Sequence, residues 1–216
     1  MSENEHVKPT AVAAQAYREL ELLLVTLELE PASFVTEGAL VERVGLGRTP
    51  VREAIQRLAW EGFIEVKPRL GMRIAPIDPA DWPRVLEARR GIEIILASSA
   101  ARNIDDRLAE HFQQAAFAMH DAVLAKDLLR FLDADKALDE ALAAATDNQF
   151  AARLAAPLQT HSRRFWFRYR SPNALAESAA SHVAVIQAIL DRDPVAAGEQ
   201  AAHLVDQLVR STKAIQ

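Results

Sequence analysis

The pattern of apolar and polar positions divides the chain into an early and a late region. Apolar residues spaced three and four apart predict a helix over residues 11–28, and alternation in "FIEVK" and "MRIAP" predicts two strands. After Arg84 the apolar spacing stays helical and is broken by short polar segments. The three prolines of "APIDPADWP" interrupt regular structure between the two regions. We therefore predict two domains, residues 1–76 and residues 77–216.

The early region is predicted to contain three helices and a hairpin. A second helix begins after Thr36, a favourable N-cap, and ends at Gly45. The third helix is predicted to begin with Thr49 as its N-cap and Pro50 at its first helical position. The hairpin residues expected to face inward are Ile64, Val66, Met72 and Ile74. This order of elements is that of a winged helix-turn-helix, whose third helix enters the DNA major groove.

The late region is rich in alanine and leucine, and its polar breaks recur about every 20 residues, a spacing typical of antiparallel helices joined by short loops. We predict an all-helical antiparallel bundle of six or seven helices. The fold class is therefore mainly α.

Composition and charge narrow the possible functions. The chain has no cysteine, which excludes disulfides and thiolate metal sites. It begins without a signal-like segment and has no apolar run long enough to span a bilayer, so we expect a soluble cytoplasmic protein with no membrane partner. The net charge is -5, yet residues 43–76 carry seven basic and three acidic side chains. That local excess of positive charge predicts a nucleic-acid interface.

Two arginines flank the start of the third helix, where the helix dipole disfavours cations. A DNA phosphate or guanine edge would gain from both Arg48 and Arg52 and from the free backbone N–H groups of that terminus. The hairpin tip would place Lys67 and Arg69 near the DNA backbone, with Gly71 allowing close approach. The alternative is a solubilising surface on which Glu53 and Arg57 form a helical pair.

The stretch "RTPVREAIQRLAWEGFIEVKPRLGMRIAP" closely resembles the DNA-binding signature of GntR-family transcription regulators, and the helical remainder resembles the FCD domain of the FadR-type subfamily. The resemblance covers residues 11–214. It implies a homodimer on operator DNA, contacts from Arg48, Thr49 and Arg52, and Gly71 in the wing tip. The sequence departs from the family at Gly38, where a further arginine is usual, and at Gly47, where a serine is usual.

Four residues of the late region are candidate metal ligands. Asp135 and Asp139 lie one helical turn apart, and His182 and His203 each lie in an apolar helical stretch. From the residues alone, a solvated acidic face and two core histidines remain possible. The resemblance implies a divalent metal at these four positions, with Asp139 in place of the usual histidine. Zn, Mn, Fe and Ni are candidates, and the added carboxylate favours harder ions.

The resemblance further implies a small carboxylate or sugar-acid effector, which Arg89 could neutralise by a bidentate contact. A surface arginine beside Arg90 and Glu93 is the alternative for that residue. The predicted function is a transcription regulator, a repressor by default, and not an enzyme. Two alternatives remain: a metal-dependent enzyme with a DNA-targeting head, and a dimeric DNA binder that responds to no ligand.

Overall fold

The structure is a computed structural model that describes residues 11–67, 69 and 71–211. The ends of the two predicted domains, residues 1–10 and 212–216, lie outside the described residues. The chain divides into two compact units between Asp78 and Pro79. Each unit has its own architecture and is described by itself.

The first unit contains three helices, and local sequence explains two of their ends. Thr36 caps α2 (Glu37–Val44), because its hydroxyl accepts a hydrogen bond of 3.2 Å from the Ala39 amide. Gly45 ends α2 with a left-handed φ of 70°, which favours glycine because a Cβ would be strained there. Both predictions are confirmed. The described helices are α1 (Ala11–Val25), α2 (Glu37–Val44) and α3 (Arg48–Trp60).

The start of α3 differs from the prediction. The N-cap is Gly47, in an extended conformation, and its carbonyl accepts from the Val51 amide at 3.3 Å. Thr49 therefore lies inside the first turn rather than at its cap. The prediction was wrong because glycine, which is also tolerated at N-caps, directly precedes the arginine.

A three-stranded antiparallel sheet completes the first unit. The predicted hairpin forms, but Val66 is 67% exposed instead of facing inward, because β2 continues past the core toward the hairpin tip. A two-residue strand that the sequence pattern did not indicate pairs with the outer side of the hairpin. The strands are β1 (Phe34–Val35), β2 (Ile64–Lys67) and β3 (Gly71–Ile74), in the order β1-β3-β2.

The core of the first unit lies between α1, α3 and the sheet. Leu20 and Leu24 of α1 and Leu58 of α3 are fully buried, and Ile74 of β3 joins them. Burying one such side chain contributes about 1.5 to 3 kcal/mol. The periodicity of these apolar positions is what orients α3 and leaves its polar face outward.

The second unit is a helical bundle, as predicted. Asp105, Asp127 and Asn148 cap three of its helices by accepting backbone N–H groups. Gly198 lets α9 (Pro194–Ser211) approach α4 (Trp82–Asn103) closely, since a Cβ there would lie 2.7 Å from the Ser98 hydroxyl. Six α-helices are described after a short 3-10 turn: α4 (Trp82–Asn103), α5 (Asp106–Ala125), α6 (Leu128–Ala145), α7 (Gln149–Tyr169), α8 (Ala174–Leu190) and α9 (Pro194–Ser211).

Candidate functional sites

The N-terminus of α3 is open to a ligand. The N-cap Gly47 has no side chain that could accept a hydrogen bond from the first backbone N–H groups, so within the described residues the helix has no side-chain cap. Arg48 and Thr49 are exposed in that first turn, and Arg52 is exposed one turn later. Uncapped N–H groups beside cations form an arrangement that favours an anion.

Arg52 is held by a carboxylate from the preceding helix. Its Nε and Nη2 donate to the two carboxylate oxygens of Glu37 at 3.1 and 2.7 Å. The hydrogen bond from Arg52 lowers the pKa of Glu37 below its usual value. The two residues are 15 positions apart and no sequence periodicity links them. The pair holds the guanidinium in place while leaving it in solvent.

Arg57 has a structural role in the same helix. It donates to Glu61 at 2.9 Å, and its guanidinium lies 3.7 Å from the centre of the Tyr17 ring. The Tyr17 hydroxyl donates to Glu61 at 2.7 Å. The alternative pairing of Arg57 with Glu53 is not the one that forms. This residue fastens α3 to α1, so it is not a candidate for DNA contact.

The hairpin tip presents the other predicted basic residues. Lys67 pairs with Glu65 at 2.8 Å, and Arg69 is exposed in the turn. Gly71 has a φ of 93°, and a Cβ there would meet the Val35 carbonyl at 3.3 Å. The glycine is therefore required by the backbone of the wing and by its packing on β1.

A cluster of buried charged residues lies within the second unit. Asp135 and Asp139 of α6 face Arg163 of α7, and His182 of α8 lies beside Asp135. The Arg163 Nη1 lies 3.3 Å from an Asp135 oxygen and also contacts Asp139. Its Nη2 donates to the Thr160 hydroxyl at 3.0 Å. The sequence did not single out Arg163, because its partners lie on another helix.

His182 is oriented from both sides. Its Nδ1 lies 2.7 Å from the Ser178 carbonyl oxygen, and its Nε2 lies 2.7 Å from an Asp135 carboxylate oxygen. Burial would lower the pKa of His182, but the Asp135 carboxylate and the Ser178 carbonyl raise it above its usual value. Burial would likewise raise the pKa of Asp135, but His182 and Arg163 hold it well below its usual range.

Asp139 is subject to opposing influences. Burial raises its pKa to about 7, although the guanidinium of Arg163 opposes the rise. An arginine keeps its proton in proteins, so direct contact with Arg163 favours the ionised carboxylate.

Arg89 and Glu93 of α4 extend this cluster. The Arg89 Nε donates to Glu93 at 2.8 Å and its Nη1 donates to the Ser162 hydroxyl at 2.8 Å. Gln159 donates to the same Glu93 oxygen at 3.1 Å. Arg89 is therefore buried, and the alternative of a surface arginine is wrong for it. We call the six ionisable residues the charged cluster: Arg89, Glu93, Asp135, Asp139, Arg163 and His182.

The four predicted metal ligands do not come together. Three of them lie in the charged cluster, but His203 is exposed on α9, whereas Leu204 and Leu208 of that helix are buried. Successive residues of a helix point about 100° apart, which turns His203 away when Leu204 faces inward. Among the described residues, no three or more His, Asp or Glu side chains are arranged to hold a metal ion. With Arg163 between the carboxylates, the donor set does not fit a divalent ion.

Among the cavities of the second unit, two of different size bear on ligand binding. A cavity of about 20 Å³ borders the charged cluster and is lined by Arg89, Asp135, Arg163, Trp166 and His182, among others. That volume suits a water molecule but not an organic acid. A cleft of about 640 Å³ lies between α5 and α6 and shares no lining residue with the small cavity. Three carboxylates, Asp121, Asp133 and Glu140, and one arginine, Arg130, are among its lining residues.

The described helices include none with the length and apolar character needed to cross a membrane.

Comparisons with known proteins match both units. Residues 12–74 match the profile of the bacterial regulatory proteins of the gntR family, and residues 84–207 match the FCD domain. An HTH-type transcriptional regulator from an unstable DNA locus of Streptomyces ambofaciens is 36% identical over 78 residues, 36% of this chain but only 33% of that protein. The HTH-type transcriptional repressor RspR of Escherichia coli K12 is 28% identical over 152 residues, covering 70% of this chain and 67% of the repressor.

The fold has solved counterparts. The structure of E. coli McbR/YncC superposes with a TM-score of 0.77 at 17% identity, covering 93% of this chain and 96% of that one. An identity this low supports the fold alone. The two profile matches show that the chain belongs to the gntR family of bacterial regulatory proteins and carries an FCD domain.

Proposed function

We propose that the protein is a transcription regulator, by default a repressor, that binds operator DNA as a homodimer through α3 and the hairpin of β2 and β3. The observation that carries this proposal is the uncapped N-terminus of α3 between the exposed Arg48 and Arg52. The relative RspR is itself named a transcriptional repressor. A homodimer fits operators made of two related half-sites.

Arg52 can exchange one anionic partner for another. In the free protein its guanidinium is bidentate on Glu37. The same fork of donors matches a phosphate or the O6 and N7 atoms of guanine. Since the pair with Glu37 is solvent-exposed, little free energy is lost when DNA replaces the carboxylate.

Thr49 and the wing complete the proposed interface. Thr49 lies in the first turn of α3 with its side chain exposed, where a hydroxyl can donate to a phosphate. Lys67 ends β2 and Arg69 lies in the turn of the hairpin, and both would contact the DNA backbone. Gly38 and Gly47 supply no polar group, so the arginines of α3 carry more of the contact than in a typical relative.

We include a small carboxylate or sugar-acid effector in this proposal, with Arg89 as its anchor. Support comes from a buried arginine at a cavity in the FCD domain. The acid would compete with Glu93 for the guanidinium, and the cavity would have to widen to admit it. The effector regulates only if its affinity differs between the DNA-binding and released states. A divalent ion is left out, because the donor set does not fit one.

The DNA-binding part is tested with DNA from upstream of the gene itself. Arg48→Ala and Arg52→Ala should each weaken binding by roughly 5- to 150-fold, the equivalent of one lost base contact. Arg18→Ala is the matched control, since Arg18 is an exposed arginine of α1 outside the basic stretch of residues 43–76. Binding of both α3 variants at the wild-type level in a gel-shift assay would refute the interface.

The effector part is tested by titrating the same complex with a panel of small carboxylates and sugar acids. An acid that releases or tightens the wild-type complex should lose that effect in Arg89→Lys, because lysine cannot form the bidentate contact. If no acid shifts binding, the protein is a DNA binder that responds to none of them. Turnover of any acid by the purified protein would favour the enzyme alternative.

A further inference from the structure

We propose that the guanidinium of Arg163 takes the place of a divalent ion in the FCD domain of this protein, so that Asp135 and Asp139 are held together without metal. The inference concerns the charged cluster alone and does not depend on operator binding.

The position of Arg163 supports the exchange. The two carboxylates project from one face of α6, one turn apart, and Nη1 of Arg163 contacts both of them. The second terminal nitrogen is held by the Thr160 hydroxyl at 3.0 Å. A single cationic group therefore bridges the carboxylates, which is what a metal ion between them would do.

Charge balance allows the charged cluster to contain the Arg163 guanidinium or a divalent metal ion, but not both. A histidine that binds a metal must be neutral. With His182 neutral, the three carboxylates of the charged cluster would be balanced by Arg89 and one divalent ion. Arg163 would then be an additional buried cation without compensation, which is strongly unfavourable away from bulk solvent. The cluster can hold Arg163 or a divalent ion, but not both.

The number of available metal ligands also argues against a divalent ion in the charged cluster. The fourth predicted ligand, His203, is exposed on α9, and the side chains of α9 buried beside it are those of Leu204 and Leu208. An ion here would have Asp135, Asp139 and His182 as its only ligands from the four predicted positions. The orientation of His182 is compatible with either the Arg163 guanidinium or a divalent ion as the cation of the cluster. Its Nδ1 lies against the Ser178 backbone carbonyl, and its Nε2 faces Asp135.

On this proposal the cation that bridges the two carboxylates is an arginine side chain of the protein itself rather than a bound ion. Its geometry is independent of metal supply and of chelators. Any ligand that reaches this cavity meets guanidinium groups rather than open coordination positions on an ion. Ligand classes that bind by chelating a metal, such as hydroxamates, should therefore have no affinity gain here.

The test measures metal content and thermal stability in the tag-free full chain. Wild type exposed to excess Mn²⁺, Ni²⁺ or Zn²⁺ and then gel-filtered should retain only traces in elemental analysis, and its Tm should not change with a chelator. Arg163→Ala vacates the bridging position and should retain about one ion per chain. With the ion at roughly 100 times its Kd, the Tm of that variant should rise by about 5 to 10 °C.

Three further variants make the result specific. Arg153→Ala removes an exposed arginine from the same helix and should behave like wild type. His203→Ala should also change nothing, because that side chain is exposed. The double variant of Arg163→Ala with His182→Ala should lose the gained ion, which places the ion in the charged cluster.

Two results would overturn the proposal: a stoichiometric ion in wild type that His182→Ala removes, or an Arg163→Ala protein that folds and binds no more metal than wild type. If Arg163→Ala does not fold, the proposal is tested by the metal content of the wild type and of Arg163→Lys. That variant keeps a cation in place and should be folded and free of metal. Metal bound by Arg163→Lys at one ion per chain would equally contradict the assignment.

Discussion

Arg52 and Arg163 both lie against carboxylates, but in opposite surroundings. The Arg52 side chain is 60% exposed, and that of its partner Glu37 is 36% exposed. The Arg163 side chain is 8% exposed, and its partners Asp135 and Asp139 are 7% and 10% exposed. The chemistry of the pair is the same, and the difference lies in the access of water.

Access of water decides what each pair can do. In solvent the attraction is screened, and each partner is rehydrated when the other leaves, so Arg52 is free to change partners. In the charged cluster the side chains are shielded from bulk solvent, so a charge that loses its partner remains buried. The first arrangement suits reversible contact with DNA, and the second suits a permanent part of the fold.

The largest expected effect comes from breaking the buried arrangement. Asp135→Asn removes the carboxylate that His182 and Arg163 share and should lower the free energy of unfolding by about 3 to 5 kcal/mol. Urea denaturation measures it. Asp133→Asn, an exposed position on α6, should change the stability by no more than about 0.5 kcal/mol. A loss below about 1 kcal/mol for Asp135→Asn would remove the distinction between the two pairs.

An intermediate effect is expected where Arg57, Tyr17 and Glu61 meet in the first unit. Burial, with the carboxylates of Glu21 and Glu61, raises the pKa of Tyr17 well above its usual value. Above about pH 10 the unfolded chain loses the tyrosine proton while the folded chain keeps it, so folding is disfavoured as the pH rises. The wild type should lose about 1.4 kcal/mol per pH unit relative to Tyr17→Phe in this range.

Urea denaturation between pH 8 and 11 gives that comparison, and the difference between the two proteins cancels the titration of other groups. Tyr169→Phe, which replaces the other tyrosine of the chain, is the control for the substitution itself. Parallel curves for wild type and Tyr17→Phe would show that the Tyr17 hydroxyl does not stay protonated in the folded protein.

The smallest effect on stability is expected at the exposed pair. Glu37→Gln should leave unfolding unchanged within error, because the pair is screened by solvent. Operator binding should become tighter at low salt, since Arg52 no longer has to leave a carboxylate. Glu28→Gln, which frees Arg43 in the same way, is the control for general charge. Weaker operator binding in Glu37→Gln would instead mean that Glu37 positions Arg52 for DNA.

The elements that sequence analysis predicted correctly depend on neighbouring residues. Thr36 caps a helix through an amide three positions away, and Gly45 turns the chain by its own φ angle. The strand β1 was missed because two residues carry no periodicity, and it exists only through its pairing of Phe34 and Val35 with β3. Alternation along β2 predicted that the Val66 side chain faces the core. The alternation continues where the strand extends past the core, so Val66 is exposed there.

By itself, the sequence determined the helical and alternating patterns, the local turns, the basic surface around α3 and the family to which the chain belongs. The tertiary structure decided which residues the arginines contact and whether the four predicted metal ligands come together. Arg163 comes from a helix that no spacing connects to Asp135, and His203 differs from an inward position by one residue of helical rotation. Such contacts depend on how whole helices pack, because packing selects which face of each helix meets its neighbours.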